Sequence, residues 1–257
     1  MDGKMKSIKA QITIFVIIAI LFVALILLLF FAKREKLMEV INPSMPDINA
    51  DIEKCSTEAA KNAIDIMLPQ GGYLQPENYK LYKDNKVQYL CYTTLYYYPC
   101  INQNPLYIQH LESEILSYIK PRIDDCFYAL RQEYEKKKYS VEMSSSNIQV
   151  NLNPKIVEIN IEKKIKISKK DETREFDKFA FKLNSPIYDL AIIAQEIANQ
   201  EAKFCYFEYL GFSLLYPQFI IEKTDINSDT KIYEIKDKVS GKKLIFAVRS
   251  CAFPAGM

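Results

Sequence analysis

The chain is poor in glycine: six residues in 257 is far below the usual frequency of about 7%. Phosphate-binding loops need glycine because backbone amides must approach the anion closely. No G-x-G-x-x-G run and no Walker loop occurs, which argues against nucleotide and dinucleotide cofactors. Histidine is scarcer still. His110 stands alone and there is no C-x-x-C pair, so zinc would find almost no ligands. Charge of one sign is lacking too: 34 basic and 32 acidic residues leave a net +2, no field to attract nucleic acid. The lysine runs at 136–138, 163–164 and 242–243 read as solvated faces. No repeat or low-complexity tract is present, and no usable N-x-S/T sequon, because proline excludes Asn42-Pro43-Ser44. The expectation is no cofactor, no metal and no nucleic-acid partner.

Against these absences stands one long apolar run. Residues 12–31 carry no charge, and Thr13 is their only hydroxyl. At about 1.5 Å per residue they span roughly 30 Å, the thickness of a bilayer's hydrocarbon core. A secretory signal has an apolar core of only about 7–15 residues and then a small-residue cleavage site. Here the run is longer and is followed by Ala32-Lys33-Arg34-Glu35-Lys36. It reads as an uncleaved transmembrane helix whose partner is the lipid bilayer.

Flanking charge does not orient that helix: Lys4, Lys6 and Lys9 precede it, and Lys33, Arg34 and Lys36 follow it. The cysteines do. All six (Cys55, Cys91, Cys100, Cys126, Cys205, Cys251) lie beyond the run, and an even number in an extramembrane domain suits an oxidising compartment. The expected organisation is an anchor and its extension over 1–42, a Pro43/Pro46 linker over 43–50, and an extracytoplasmic α+β domain over 51–257. Such a protein belongs at the cell membrane.

Within the domain, Asn49 or Asp51 can cap a helix over 51–68 with Ile52, Cys55, Ala59, Ala63 and Ile66 on one stripe. Pro69 and Gly71-Gly72 end it. Residues 73–101 read as strands, with a turn at Lys83–Lys86 before Val87–Tyr92. Ile108, Leu111, Ile115, Ile119, Ile123, Cys126 and Leu130 keep helical spacing over 107–134, where Pro121 should kink or restart the helix. From Tyr139 the period becomes two. Ile148, Val150 and Leu152, then Val157, Ile159, Ile161, Ile165 and Ile167, alternate with polar residues, and Lys163 takes one apolar turn. Phe179, Phe181 and Leu183 return. This predicts an antiparallel sheet with one wet face. Pro186 opens a third helix with Leu190, Ile193, Ala194, Ile197 and Phe204 inward, and strands follow near 217–223, 231–236 and 243–249. The fold class is α+β with about three extramembrane helices.

Chemistry is harder to find. His110 has Glu114 one turn on, a pair that reads first as a surface i,i+4 contact and only second as an oriented base. Asp124 and Asp125 diverge by about 100° on a helix, so they read as first-turn residues of a restarted helix. Cys55 and Cys126 fall on apolar stripes, which predicts a structural bridge between two helices rather than an exposed redox thiol. Cys91–Cys100 would close a short aromatic hairpin. Cys205–Cys251 is the pair left over.

Tyrosine alone has a functional flavour. Nine of the eighteen lie between Tyr73 and Tyr107, and tyrosine offers apolar area plus a hydroxyl at low entropy cost. The bland alternative is strand propensity. A core cannot easily absorb every hydroxyl, so Tyr96, Tyr97 and Tyr98, together with Tyr89 or Tyr92, are the binding-surface candidates. Were this segment a strand, Tyr96 and Tyr98 would share one face and Tyr97 the other.

Two resemblances follow from the residues. Lys9-Ala10-Gln11 before an apolar helix resembles the N-terminus of archaeal type IV pilin-like precursors, which are cleaved before a glutamine. Phe15 and its neighbours are apolar where pilins commonly carry an acidic residue. Over the first half, Ala10-Gln11-Ile12-Thr13-Ile14-Phe15, Cys55, Gln70-Gly71-Gly72-Tyr73, and Leu111-Glu112 leading to Cys126 are similar to uncharacterised single-pass proteins of small-genome (DPANN-type) archaea. That family implies the architecture and no activity. The expected function is a membrane-anchored, non-enzymatic surface protein for partner binding or envelope assembly; a pilin-like filament or secretion subunit, and an envelope hydrolase or redox enzyme, are the alternatives.

Overall fold

In the computed structural model the described residues are 18–28, 48–170 and 172–251. The chain divides into two units at Ile48/Asn49. In the first, residues 18–28 form a helix, α1, whose large apolar side chains are exposed. The rest of the predicted span, 12–17 and 29–31, lies outside the described residues, as do the linker residues up to 47. Among the described residues no helix is long and apolar enough to cross a membrane.

The second unit is α+β. Its helices are α2 (Ile48–Met67), α3 (Tyr107–Lys136), α4 (Ile187–Phe204) and α5 (Tyr209–Leu215). Its strands are β1 (Tyr79–Tyr82), β2 (Asn85–Tyr92), β3 (Ile101–Asn102), β4 (Ser140–Met143), β5 (Asn147–Asn153), β6 (Ile156–Lys169), β7 (Glu172–Asn184), β8 (Phe219–Asp225), β9 (Thr230–Asp237) and β10 (Lys243–Arg249). One sheet runs β1-β2-β10-β9-β8, with β3 on β2. The other holds β4 and β5 end to end along one side of β6 and β7 along its other side.

The second sheet is antiparallel and one-sided, as its period-two pattern demands. β5 alternates without exception, and Ile148, Val150 and Leu152 are buried. Against that face α3 lays Leu111, Ile115, Ile119, Ile123, Phe127 and Leu130. α4 packs on β10, β2 and β9, and α3 and α4 touch, which joins both sheets into one core.

Four expectations need correction. First, the domain is not antiparallel throughout: β2 and β10 run parallel. β10 reaches β2 as the second arm of the β9–β10 hairpin, and that hairpin's direction fixes its own. Second, among the described residues there are four α-helices from residue 48 onward rather than about three. α5 was unread because the seven residues Tyr209–Leu215, with Gly211 among them, are too few to show a period.

Third, Pro121 neither breaks nor restarts α3. A helical proline removes one backbone bond and crowds the carbonyl four residues back. Pro121 lies on the exposed face, the flanking turns are held on the sheet by Ile119 and Ile123, and the Arg122 guanidinium donates to Tyr118 O at 2.7 Å. Asp124 is therefore mid-helix, where it accepts from Ser146 Oγ at 2.6 Å. Fourth, Phe204 and Ile66 are exposed, and Cys55 and Cys126 sit at the margin of their stripes rather than in the core.

Lys163 keeps its inward turn. It stays in step with Ile161 and Ile165 on the buried face of β6, its ammonium donating to Ser144 O at 2.7 Å and lying 5.0 Å from the Phe127 ring centre. Burial pulls its pKa down, against the opposing charge of Asp124.

Candidate functional site

The cysteines pair as Cys55–Cys126, Cys91–Cys100 and Cys205–Cys251, with Cα separations of 6.7, 5.4 and 5.7 Å. The second bridge defines the site. β2 ends at Tyr92 and β3 begins at Ile101, and the two pair there in antiparallel register. Residues 93–100 thus form a loop with no ladder partner, closed at its base by a disulfide.

The segment is a turn, not a strand, so the alternation of faces fails. Tyr97 adopts a left-handed φ of 64°, and Tyr96, Tyr97 and Tyr98 all face solvent with 55–60% of their surface exposed. Leu95 and Ile101, which sequence reasoning missed, are exposed beside them. Tyr89 is not on this surface. Its position in β2 points it into the cluster of Val87, Ile232, Ile245 and Ala247, where burial raises its pKa. Tyr92 is half-buried against the same cluster, its ring centre 5.0 Å from that of Tyr89.

The display is held from below by the end of the last strand and the two residues after it. Thr93 N donates to Arg249 O at 3.1 Å, Cys100 N to Ser250 Oγ at 3.1 Å, and Cys251 N to Tyr98 O at 3.1 Å. The Arg249 guanidinium donates to Thr93 O and, through Nε, to Asp229 at 2.7 Å. It lies 5.7 and 5.8 Å from the Tyr92 and Tyr96 ring centres. Burial pushes the Asp229 carboxyl up, but hydrogen bonds from Thr230 and Arg249 outweigh it and leave the pKa below the usual range.

From Cys251 the surface continues to Cys205 and its exposed neighbours Phe204 and Tyr206. Beneath lies a buried polar group. Glu201 is fully buried, accepting from Lys231 Nζ at 2.7 and 2.9 Å and from Tyr233 OH at 2.5 Å. Lys231 also caps α4 by donating to Cys205 O at 2.7 Å. Burial first, and the Glu201 carboxylate second, drive the Tyr233 pKa far up. No titrating pair in the sequence announced this cluster, because its members lie on α4 and β9.

His110 is not the surface residue expected. Its ring lies 4.0 Å from Tyr73 and 6.2 Å from Tyr107, centre to centre. Its Nε2 is buried and, among the described residues, has no hydrogen-bond partner. Burial lowers its pKa, against the charge of Glu114 and a hydrogen bond to the Gly72 backbone. Glu114 itself accepts from Leu74 N at 2.7 Å, so it braces the 71–74 turn. A concavity of about 760 Å³ lies on the second sheet between Glu142, Ser144, Lys164, Lys166, Glu175 and Phe176, with neither His110 nor a cysteine in its lining.

Comparison with known proteins returns nothing: no family model fits the chain, and no curated protein and no solved structure matches it.

Proposed function

We propose that the chain is a single-pass cell-surface protein that binds a protein partner or envelope component through the Cys91–Cys100 loop. One observation carries this reading: Leu95 and three consecutive tyrosines stand exposed on a loop whose ends are covalently closed and whose backbone is tied to β10. Aromatic side chains on a fixed backbone lose little freedom on binding, so more of their contact energy becomes affinity. The exposed chemistry of the loop is aromatic and aliphatic, which suits adhesion rather than bond-making.

The membrane reading is supported by the uncharged run at 12–31 and by the exposed apolar side chains of 18–28. An extracytoplasmic domain is supported by the pairing of all six cysteines, which an oxidising compartment sustains. Both rest on chemistry of the chain rather than on any relative.

The test is capture of partners by the full chain from native membranes, compared with the double variant Tyr96→Ala/Tyr97→Ala. Central tyrosines that act as hot spots cost about tenfold or more in affinity when truncated. Exposed substitutions shift stability by only about 0.5 kcal/mol, so the melting temperature should barely move. Unchanged capture, or a large loss of stability without loss of capture, would mean that the loop is packing and not a binding surface.

A further inference from the structure

We infer that the corner built by the end of α5 and the β9–β10 turn is a second membrane contact, a wedge that seats in the surface of an anionic bilayer. It rests on the membrane-anchored reading only for proximity to lipid. Val239, Leu214 and Leu215 are the three most exposed large hydrophobic residues described, at 92, 83 and 75%. They come from different elements, yet the fold brings them to one place. Lys238 N donates to Gln218 O at 3.0 Å and Lys238 Nζ to Pro217 O, which clips the turn holding Val239 to the residues that follow α5.

α5 itself presents two faces. Phe212 turns inward, 5.2 Å from the Phe207 ring and 4.5 Å from Tyr216, while Leu210, Gly211, Leu214 and Leu215 form an outward stripe without charge. Near that stripe stand Tyr206 and Tyr216, with the Lys223 ammonium 5.6 and 5.8 Å from the Tyr206 and Tyr209 ring centres and the Lys238 ammonium on Pro217 O. Of the nearby acids, Glu208 accepts from Tyr206 OH and Gly211 N, Asp237 accepts from Ser240 N and Oγ, and Asp225 pairs with Lys223 at 3.9 Å.

Aliphatic tips, tyrosines at their base and lysines behind them match the layers of a bilayer surface: acyl chains, headgroup boundary and phosphates. A protein partner fits less well, since leucine and valine are under-represented among interface hot spots and a projecting corner offers little complementary area.

The chain has no tryptophan, so Leu214→Trp and Val239→Trp each install a unique fluorophore in the full chain, and Tyr128→Trp on α3 serves as control. Each is reconstituted into bilayers of phosphatidylcholine and phosphatidylglycerol with brominated acyl chains. We expect blue-shifted, quenched emission from residues 214 and 239 and none from 128. Raising the salt concentration should lower the docked population on the anionic bilayer and leave it unchanged on phosphatidylcholine alone. Alkaline extraction, run in parallel, reads the anchor separately. Quenching at 214 and 239 supports the wedge whether or not the chain resists extraction. Unquenched emission overturns the wedge, and resistance to extraction then leaves the anchor standing. A blue shift that follows protein concentration and ignores bromination assigns the corner to a second copy of the chain and overturns the lipid contact.

Discussion

Removing the Cys91–Cys100 bridge should separate binding from stability. On the chain-entropy model a bridge stabilises by restricting the unfolded chain, more so for longer loops. The sequence separations are 9 for Cys91–Cys100 and 71 for Cys55–Cys126. These give about 2.6 and 4.4 kcal/mol respectively at 25 °C. Stability alone therefore makes Cys55→Ala/Cys126→Ala the more damaging pair. Binding should rank them the other way, because only Cys91→Ala/Cys100→Ala frees the base of the tyrosine loop. The freed loop must be ordered again on binding, at a cost of about 0.5–1.5 kcal/mol per immobilised side chain. For three tyrosines and Leu95 that is roughly 2–6 kcal/mol, or at least tenfold in affinity. Chemical denaturation followed by circular dichroism would give the stabilities, and partner capture under conditions where both variants remain folded would give the binding. If capture falls in proportion to stability in both pairs, the loop has no display role and the reasoning fails.

Gly72 and Gly241 share a left-handed φ, 81° and 72°, but not their surroundings. A Cβ on Gly72 would meet Leu111 Cδ2 and Tyr107 OH at 2.5 Å, while one on Gly241 meets nothing within 4 Å. Both alanine variants should lose about 1–2 kcal/mol to the backbone. Gly72→Ala should lose about 1–3 kcal/mol more by overpacking, and about 1–3 again if Tyr107 gives up its hydrogen bond to Gly71 O; equal melting temperatures would contradict this. His110 sets the pH dependence between 7 and 5, as the only histidine. Its folded pKa lies below its ordinary one through burial, so its contribution is whole above the ordinary value and is lost as pH falls toward the folded one. His110→Phe, which keeps a ring against Tyr73, should show a smaller drop in stability from pH 7 to 5 than the parent chain, and an identical drop would exclude burial of the neutral imidazole.

How much of this was legible depended on whether a feature was local. Helical and alternating periods are local, so α3 and the β5–β6–β7 sheet could be read directly from Ile115, Ile119 and Ile123, or from Ile148, Val150 and Leu152. Cys91 and Cys100 were readable for the same reason, since both belong to one short hairpin. The loop tyrosines were placed on a strand because strand propensity says nothing of where a ladder partner ends, and β3 is only two residues long. Tyr89 went wrong by the opposite route. Its side chain follows the strand's alternation faithfully, but the face it occupies is covered, and cover is a tertiary property. The Glu201–Lys231–Tyr233 group and the Leu214–Val239 corner were invisible because each joins segments that no sequence window contains together.

Long range also decides when the tyrosines are presented at all. The loop lies at one end of the β2–β10 pair, and a parallel pair cannot be joined by a tight turn. Here nearly the whole remaining domain lies between the two strands. Every backbone restraint on the loop from below comes from the last strand or the residues just past it: Arg249 to Thr93, Ser250 to Cys100, Cys251 to Tyr98. A chain with β1 to β3 formed and β10 undocked would carry the Cys91–Cys100 closure without that floor. The parallel pairing that breaks the antiparallel pattern is thus what couples the tyrosine loop to completion of the fold. Glu201 serves the same end, since Lys231 and Tyr233 tie the close of α4 to the strand next to β10. Removing one member of a buried charged pair leaves the other without a partner at a cost of about 3–5 kcal/mol, which makes that junction far less tolerant of change than the exposed tyrosines it supports.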